Sequence, residues 1–97
     1  MRDVVLFGRG NLPRISQFFG IIIAMYYNDH APAHFHAVYA ESEATIAIAT
    51  LEVLSGNLPR RALALVLEWA SLHREGLTGN WEKARQGEVL SSIEPLD

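Results

Sequence analysis

Residues 26–39 read YYNDHAPAHFHAVY. The second half of this stretch has a period of two. It sets His34, His36 and Val38 on one face of a strand and Phe35, Ala37 and Tyr39 on the other. The first half carries Asn28, Asp29 and Pro32, which favour a turn through side-chain bonds to the local backbone and a fixed φ. A strand must lead into that turn, and SQFFGIIIAMYYND (residues 16–29) supplies β-branched and aromatic side chains for one. Its apolar run is continuous rather than alternating, which predicts a central strand buried on both faces. Gly20 is expected to mark a bulge or a close backbone approach within it.

Downstream, ESE (residues 41–43) reads as a polar turn and ATIAIAT (residues 44–50) as the next strand, with LEVLSGN (residues 51–57) able to add a short one. Upstream, Gly8, Gly10 and Pro13 punctuate the chain, so only residues 4–7 could pair there. The period changes at residue 57. In NLPRRALALVLEWASLHREGL (residues 57–77), Asn57 can cap a helix and Pro59 fits its first turn. Ala62, Val66, Trp69, Ala70 and His73 then recur at helical spacing, predicting a helix over residues 59–75 that ends at Gly76 or Gly79. NWEKARQG (residues 80–87) predicts a short second helix capped by Asn80, and residues 88–97 form a tail with at most a short strand. Strands followed by helices predict an α+β domain. It is a small antiparallel β-meander of three to four strands packed against one long and one short C-terminal helix. The domain is expected over residues 12–97, with residues 1–11 as an N-terminal extension.

The 97 residues suffice for one domain, and 49 % apolar with 20 % charged residues is an ordinary globular balance. A net charge of −3 provides no strong basic field for a nucleic-acid duplex. The chain has no cysteine, which removes disulfides, thiolate metal sites and cysteine nucleophiles together. Stability must then come from packing, a metal or self-association into a homo-oligomer. A reducing cytoplasm fits this composition. The longest apolar run, residues 18–27, falls short of the ~20 residues of a membrane span, and no export signal is read at the N-terminus.

Three of the four histidines fall within residues 26–39. On one strand face, His34 and His36 bring their Cβ atoms roughly 6–7 Å apart. Imidazole is the commonest nitrogen ligand for zinc, nickel or iron, and His30 or Asp29 in the adjoining turn is a third donor. Three protein ligands plus water make the usual catalytic zinc site. Without a metal, the same imidazoles suit acid–base chemistry, with Asp29 orienting one of them. Arg60 or Arg61, at the start of the long helix, could then hold a phosphodiester, and Tyr26, Tyr27 or Phe35 could stack on a base. RNA is the substrate that this combination fits. The blander alternatives are a solvated turn histidine, arginines in a solvated first turn, tyrosines in the sheet and His73 as a boundary residue beside Trp69.

ISQFFGIIIAMYYNDHAPAHFHAVYAE, then LPRRALALVLEWASLHREGLTGNWEKARQG and IEPL, resembles a small bacterial family, domain-of-unknown-function family 4160. Its typical pattern runs D-H-x-P-x-H-F-H-A, then L-P-x-R-A-L-x-L-V-x-E-W, then N-W, and the likeness extends from about Leu12 to Leu96. Ala33 stands where the family often has a second proline. The resemblance implies that Asp29, His30, His34 and His36 are motif positions. It also implies a neighbouring gene for a small cognate protein, in an arrangement like a toxin–antitoxin module. The leading expectation is therefore a cytoplasmic component of such a module. Its site would be His30, His34 and His36 with Asp29, helped by Arg60 or Arg61, and it would cleave RNA or bind a transition metal such as zinc or nickel. The alternative is a non-enzymatic interaction or transcription-regulating module in which the histidine motif is structural.

Overall fold

A computed structural model describes residues 13–97. Its elements are β1 (Arg14–Phe18), β2 (Ile21–Ala24), β3 (His34–Tyr39), β4 (Ser42–Ala47), β5 (Val53–Gly56), α1 (Arg60–Leu72) and α2 (Arg74–Arg85). The strands form one antiparallel sheet in chain order, and the helices follow, so the fold is α+β. The sheet has five strands, not three to four.

The extra strand arises where residues 16–29 were expected to form one strand with a bulge or close approach at Gly20. Phe18 instead pairs with Ile21 across a two-residue turn, and Phe19 and Gly20 hold φ of 50° and 79°. Positive φ at both central positions gives a turn whose twist matches that of the flanking strands. Gly20 adopts it freely, whereas Phe19 carries a Cβ and costs about 1–2 kcal/mol there. Phenylalanine is not a turn signal, so the fold-back is hidden in the sequence. A second two-residue turn, Ala40–Glu41, joins β3 to β4 with Tyr39 opposite Ser42. Ser42 and Glu43, expected in the turn, therefore begin β4.

Cross-strand partners share a face, so Ile21, Ile23, Phe35, Ala37, Ala44 and Ile46 line one side of the sheet, all of them buried. The stripe on α1 covers that side with Ala62, Val66, Trp69 and Ala70. The Trp69 ring lies 5.4 Å from Phe18 and 6.0 Å from Phe35. His34 and His36 alternate with Phe35, so their side chains lie on the opposite side from α1. His73 stacks on Trp69 at 5.4 Å and belongs to the helical side.

Both helix boundaries differ from the expected ones. The helix expected over residues 59–75 stops at Leu72, and α2 starts immediately after His73. Gly76 and Gly79 lie inside α2 instead of ending α1. Gly76 faces the tail: a Cβ there would meet the Ile93 side chain at 3.4 Å, an ordinary contact. Asn80 is no cap. Its amide is buried and grips the tail, donating to the Ser91 carbonyl and accepting from the Ser91 amide, both at 2.8 Å. Asn57 does not cap α1 either, because Pro59 occupies the cap position without a side-chain bond. The two helices are nearly equal, 13 and 12 residues, not one long and one short.

The tail forms no strand. It straps the core through the Trp69 indole N–H, which donates to Glu94 O (2.7 Å), and the Ile93 amide, which donates to Ile15 O (2.8 Å). The extension over residues 1–11, with the segment 4–7 that could pair, lies outside the described residues. Among the described residues, no helix is long and apolar enough to cross a membrane.

Candidate metal centre

The loop of residues 25–33 leaves β2 and folds back over the start of β3. Asp29 Oδ1 accepts a hydrogen bond from the His30 amide at 2.9 Å, which fixes the carboxylate against its own backbone. The other oxygen, Oδ2, then meets β3: it lies 2.8 Å from His34 Nε2 and 3.4 Å from His36 Nε2. The two imidazoles share one strand face, as the period of two predicts, with ring centroids 5.3 Å apart.

Each ring is also held from behind. His34 Nδ1 lies 2.7 Å from the Pro32 carbonyl oxygen, and His36 Nδ1 lies 3.1 Å from Glu43 Oε2. Glu43 reaches His36 because Val38 pairs with Glu43 and His36 with Thr45, making Glu43 and His36 diagonal neighbours on one face. His34 is only 2 % exposed, with the Trp81 ring of α2 at 5.2 Å, and Tyr26 meets the His36 ring edge-on at 4.6 Å.

The consequence is chemical. Both nitrogens of both rings face an oxygen acceptor, yet a neutral imidazole carries one hydrogen. In the tautomer that donates Nδ1–H outward to Pro32 O and to Glu43, both Nε2 atoms face Asp29 Oδ2 as acceptors, an arrangement that a cation between them satisfies. Carbonyl and carboxylate partners behind inward-facing imidazoles are the usual support of metal-ligating histidines. The three donor atoms, one each from Asp29, His34 and His36, lie within 4.8 Å of one another.

Burial alone would push the Asp29 carboxyl up. The His30 amide, the bonds to His34 and His36 and the His34 charge outweigh it, and hold the carboxyl below its ordinary value of 3.8. A depressed carboxyl stabilises the fold above its unfolded value, and that stabilisation is lost as pH falls through the lower folded value. The metal-free protein is therefore expected to lose stability below about pH 4, with a shallower decline in Asp29→Asn. Urea midpoints measured from pH 6 downward check this; parallel curves for the two proteins would refute it.

The remaining expected site residues separate. His30 is 86 % exposed at the rim, its ring 5.5 Å from His34, so Asp29 takes the third-donor place in the convergent set. The cavity beside the set, about 280 Å³, is bordered also by Pro32, Thr45, Leu54 and Ser55. No lysine or arginine among the described residues lines it. Arg60 is exposed on α1, and Arg61 borders a different cavity. Phe35 is buried in the core and Tyr26 packs on His36, so neither is free to stack on a base. Sequence reasoning missed Glu43, whose place follows once the Ala40–Glu41 turn sets the β3–β4 register.

A family model described as Domain of unknown function (DUF4160) matches residues 20–82, from the β1–β2 turn into α2. The match covers well over half of the chain, which therefore belongs to this family. It spans all four motif positions around the candidate centre. No curated protein and no solved structure matches the chain.

Proposed function

We propose that the chain is a small metal-binding domain that holds one divalent transition ion on Asp29 Oδ2, His34 Nε2 and His36 Nε2. The observation that supports it is the convergence of the two imidazole Nε2 atoms on one carboxylate oxygen, with an oxygen acceptor behind each ring at Nδ1. Ligand atoms about 2.0–2.2 Å from a common ion stand roughly 2.9–3.5 Å apart, close to the separations seen at Asp29. Two imidazoles and a carboxylate suit zinc, nickel or iron(II), and three protein ligands leave positions for water and a substrate oxygen. Such a centre supplies bound hydroxide near neutral pH, so hydrolysis is the reaction class that it serves.

The lining favours this over metal-free RNA cleavage. A phosphodiester needs a cation beside the imidazoles, and Arg60 and Arg61 border no part of this cavity. The test is titration of the metal-free protein with cobalt(II) and zinc, read by the visible spectrum and calorimetry. One equivalent is expected to bind, and Asp29→Ala or paired His34→Ala and His36→Ala to abolish it. His30→Ala is expected to retain binding. Absence of saturable binding in correctly folded protein would sink the proposal.

Glu43 provides a second check. Glu43→Gln keeps a hydrogen-bond acceptor behind His36 but removes its charge, and metal affinity is expected to fall about 10- to 100-fold with the fold unchanged. An unchanged affinity would show that Glu43 does not support the ligand.

The toxin–antitoxin-like role and its small cognate partner are carried by the family resemblance alone. That proposal predicts growth arrest on expression of the chain, relieved by the neighbouring gene and absent in His36→Ala. Equal growth of both strains at matched soluble levels would count against it.

A further inference from the structure

A second cavity, about 220 Å³, lies on the helical side of the sheet, between the β1–β2 turn, the end of β3 and the start of α1. Phe19, Ile21, Tyr39, Ala62 and Leu65 make its wall, and Arg61 is the one charged residue among the described residues lining it. It is separate from the metal centre, sharing no lining residue with it.

The fold accounts for Phe19 only in part: its ring meets Phe18 edge-on at 6.4 Å. It is 58 % exposed, so burial does not account for the ring. It also holds a φ of 50°, a position that asparagine, aspartate or glycine occupies with less strain. A bulky ring that strains its turn and stays more than half exposed leaves aromatic surface open to a ligand. Tyr39 stands with it, 37 % exposed and in contact range of the turn, where a Cβ on Gly20 would lie 3.5 Å from the tyrosine ring. Arg61 makes no ion pair among the described residues, and α1 has no acidic residue in its first turn to compete for the guanidinium. Aromatic walls beside one permanent cation recognise an apolar body that carries an anion, and a guanidinium takes a carboxylate by paired hydrogen bonds.

We propose that this cavity binds a carboxylate attached to an aromatic or bulky apolar group, the group against Phe19 and Tyr39 and the carboxylate on Arg61. Two sources present that chemistry: a free aryl-alkyl acid, and the C-terminal residue of a peptide.

The test is a heteronuclear NMR titration of the full chain with 3-phenylpropionate, N-acetylphenylalanine and N-acetylphenylalanine amide. Shifts are expected at residues 19–21, 39 and 61–65, with saturation at millimolar ligand by one or both acids and not by the amide. Binding of 3-phenylpropionate alone assigns the cavity to free aryl-alkyl acids. Binding of N-acetylphenylalanine alone assigns it to C-terminal residues of peptides, for which that probe stands in. Arg61→Gln is expected to weaken binding about tenfold or more, the loss of one charge-assisted contact, and Arg60→Gln to leave it unchanged. Phe19→Asn is expected to abolish binding while the melting temperature holds or rises, since asparagine tolerates the positive φ. The proposal is overturned if neither acid shifts these residues, if the amide binds as well as the acid, or if Arg61→Gln binds like the unmodified chain.

Discussion

Trp69→Ala is expected to lower the unfolding free energy by about 3–5 kcal/mol, a large share of the stability of a domain this size. Trp69 has no exposed surface. It joins three parts of the molecule: Phe18 at the end of β1, Phe35 at the centre of the sheet, and the tail through the bond to Glu94 O. Alanine removes the ring from the α1–sheet layer and leaves the Glu94 carbonyl without its indole donor. Trp69→Phe separates the two contributions, because it restores most of the volume and not the hydrogen bond. Urea melts check both, and a loss under ~1 kcal/mol for Trp69→Ala would show that the α1 stripe does not hold the sheet.

Gly56→Ala is the second large effect. Gly56 closes β5 at a φ of 70°, and a Cβ there would lie 2.1 Å from the Glu43 carbonyl oxygen and 3.2 Å from Ala44 Cα. Both are backbone atoms of the neighbouring strand, so no side-chain rotation relieves the clash. Adding the left-handed conformation to the overpacking gives an expected loss of about 2–5 kcal/mol. Gly87→Ala is the control, with a φ of 74° and nothing within 4 Å of the added carbon. It is expected to cost only about 1 kcal/mol, the conformational part alone. Gly56→Ala should also weaken metal binding, because separating β5 from β4 moves Glu43 away from His36. Equal losses for the two variants would contradict the clash.

The parts of this protein that were legible in its sequence are those set by short-range periodicity. Two residues along a strand return to the same face, so His34 and His36 could be paired from their spacing alone. A helical repeat placed Ala62, Val66, Trp69 and Ala70 together in the core for the same reason. The expected α+β order followed from the change of period at residue 57. Local rules failed where a residue was used against its type. Phe19 in a two-residue turn concealed the β1–β2 hairpin and, with it, a strand. Gly76 and Gly79 looked like helix stops, yet Gly76 lies within α2 against Ile93, a contact made by chain 17 residues away in sequence number.

The candidate centre divides along the same line. Composition and spacing determined that Asp29, His30, His34 and His36 would be close together, because they lie within one turn and one strand. Which of the two neighbours, Asp29 or His30, faces the imidazoles was decided only by the path of the loop, which turns the carboxylate inward and leaves the ring of His30 in solvent. Glu43 was decided by sheet register, the burial of His34 by Trp81 arriving from α2, and the separation of Arg60 and Arg61 from the histidines by the packing of α1 on the opposite face. These are long-range pairings. A backbone turn or a helix crossing sets them through the burial of distant apolar surface, and no run of neighbouring residues carries that information.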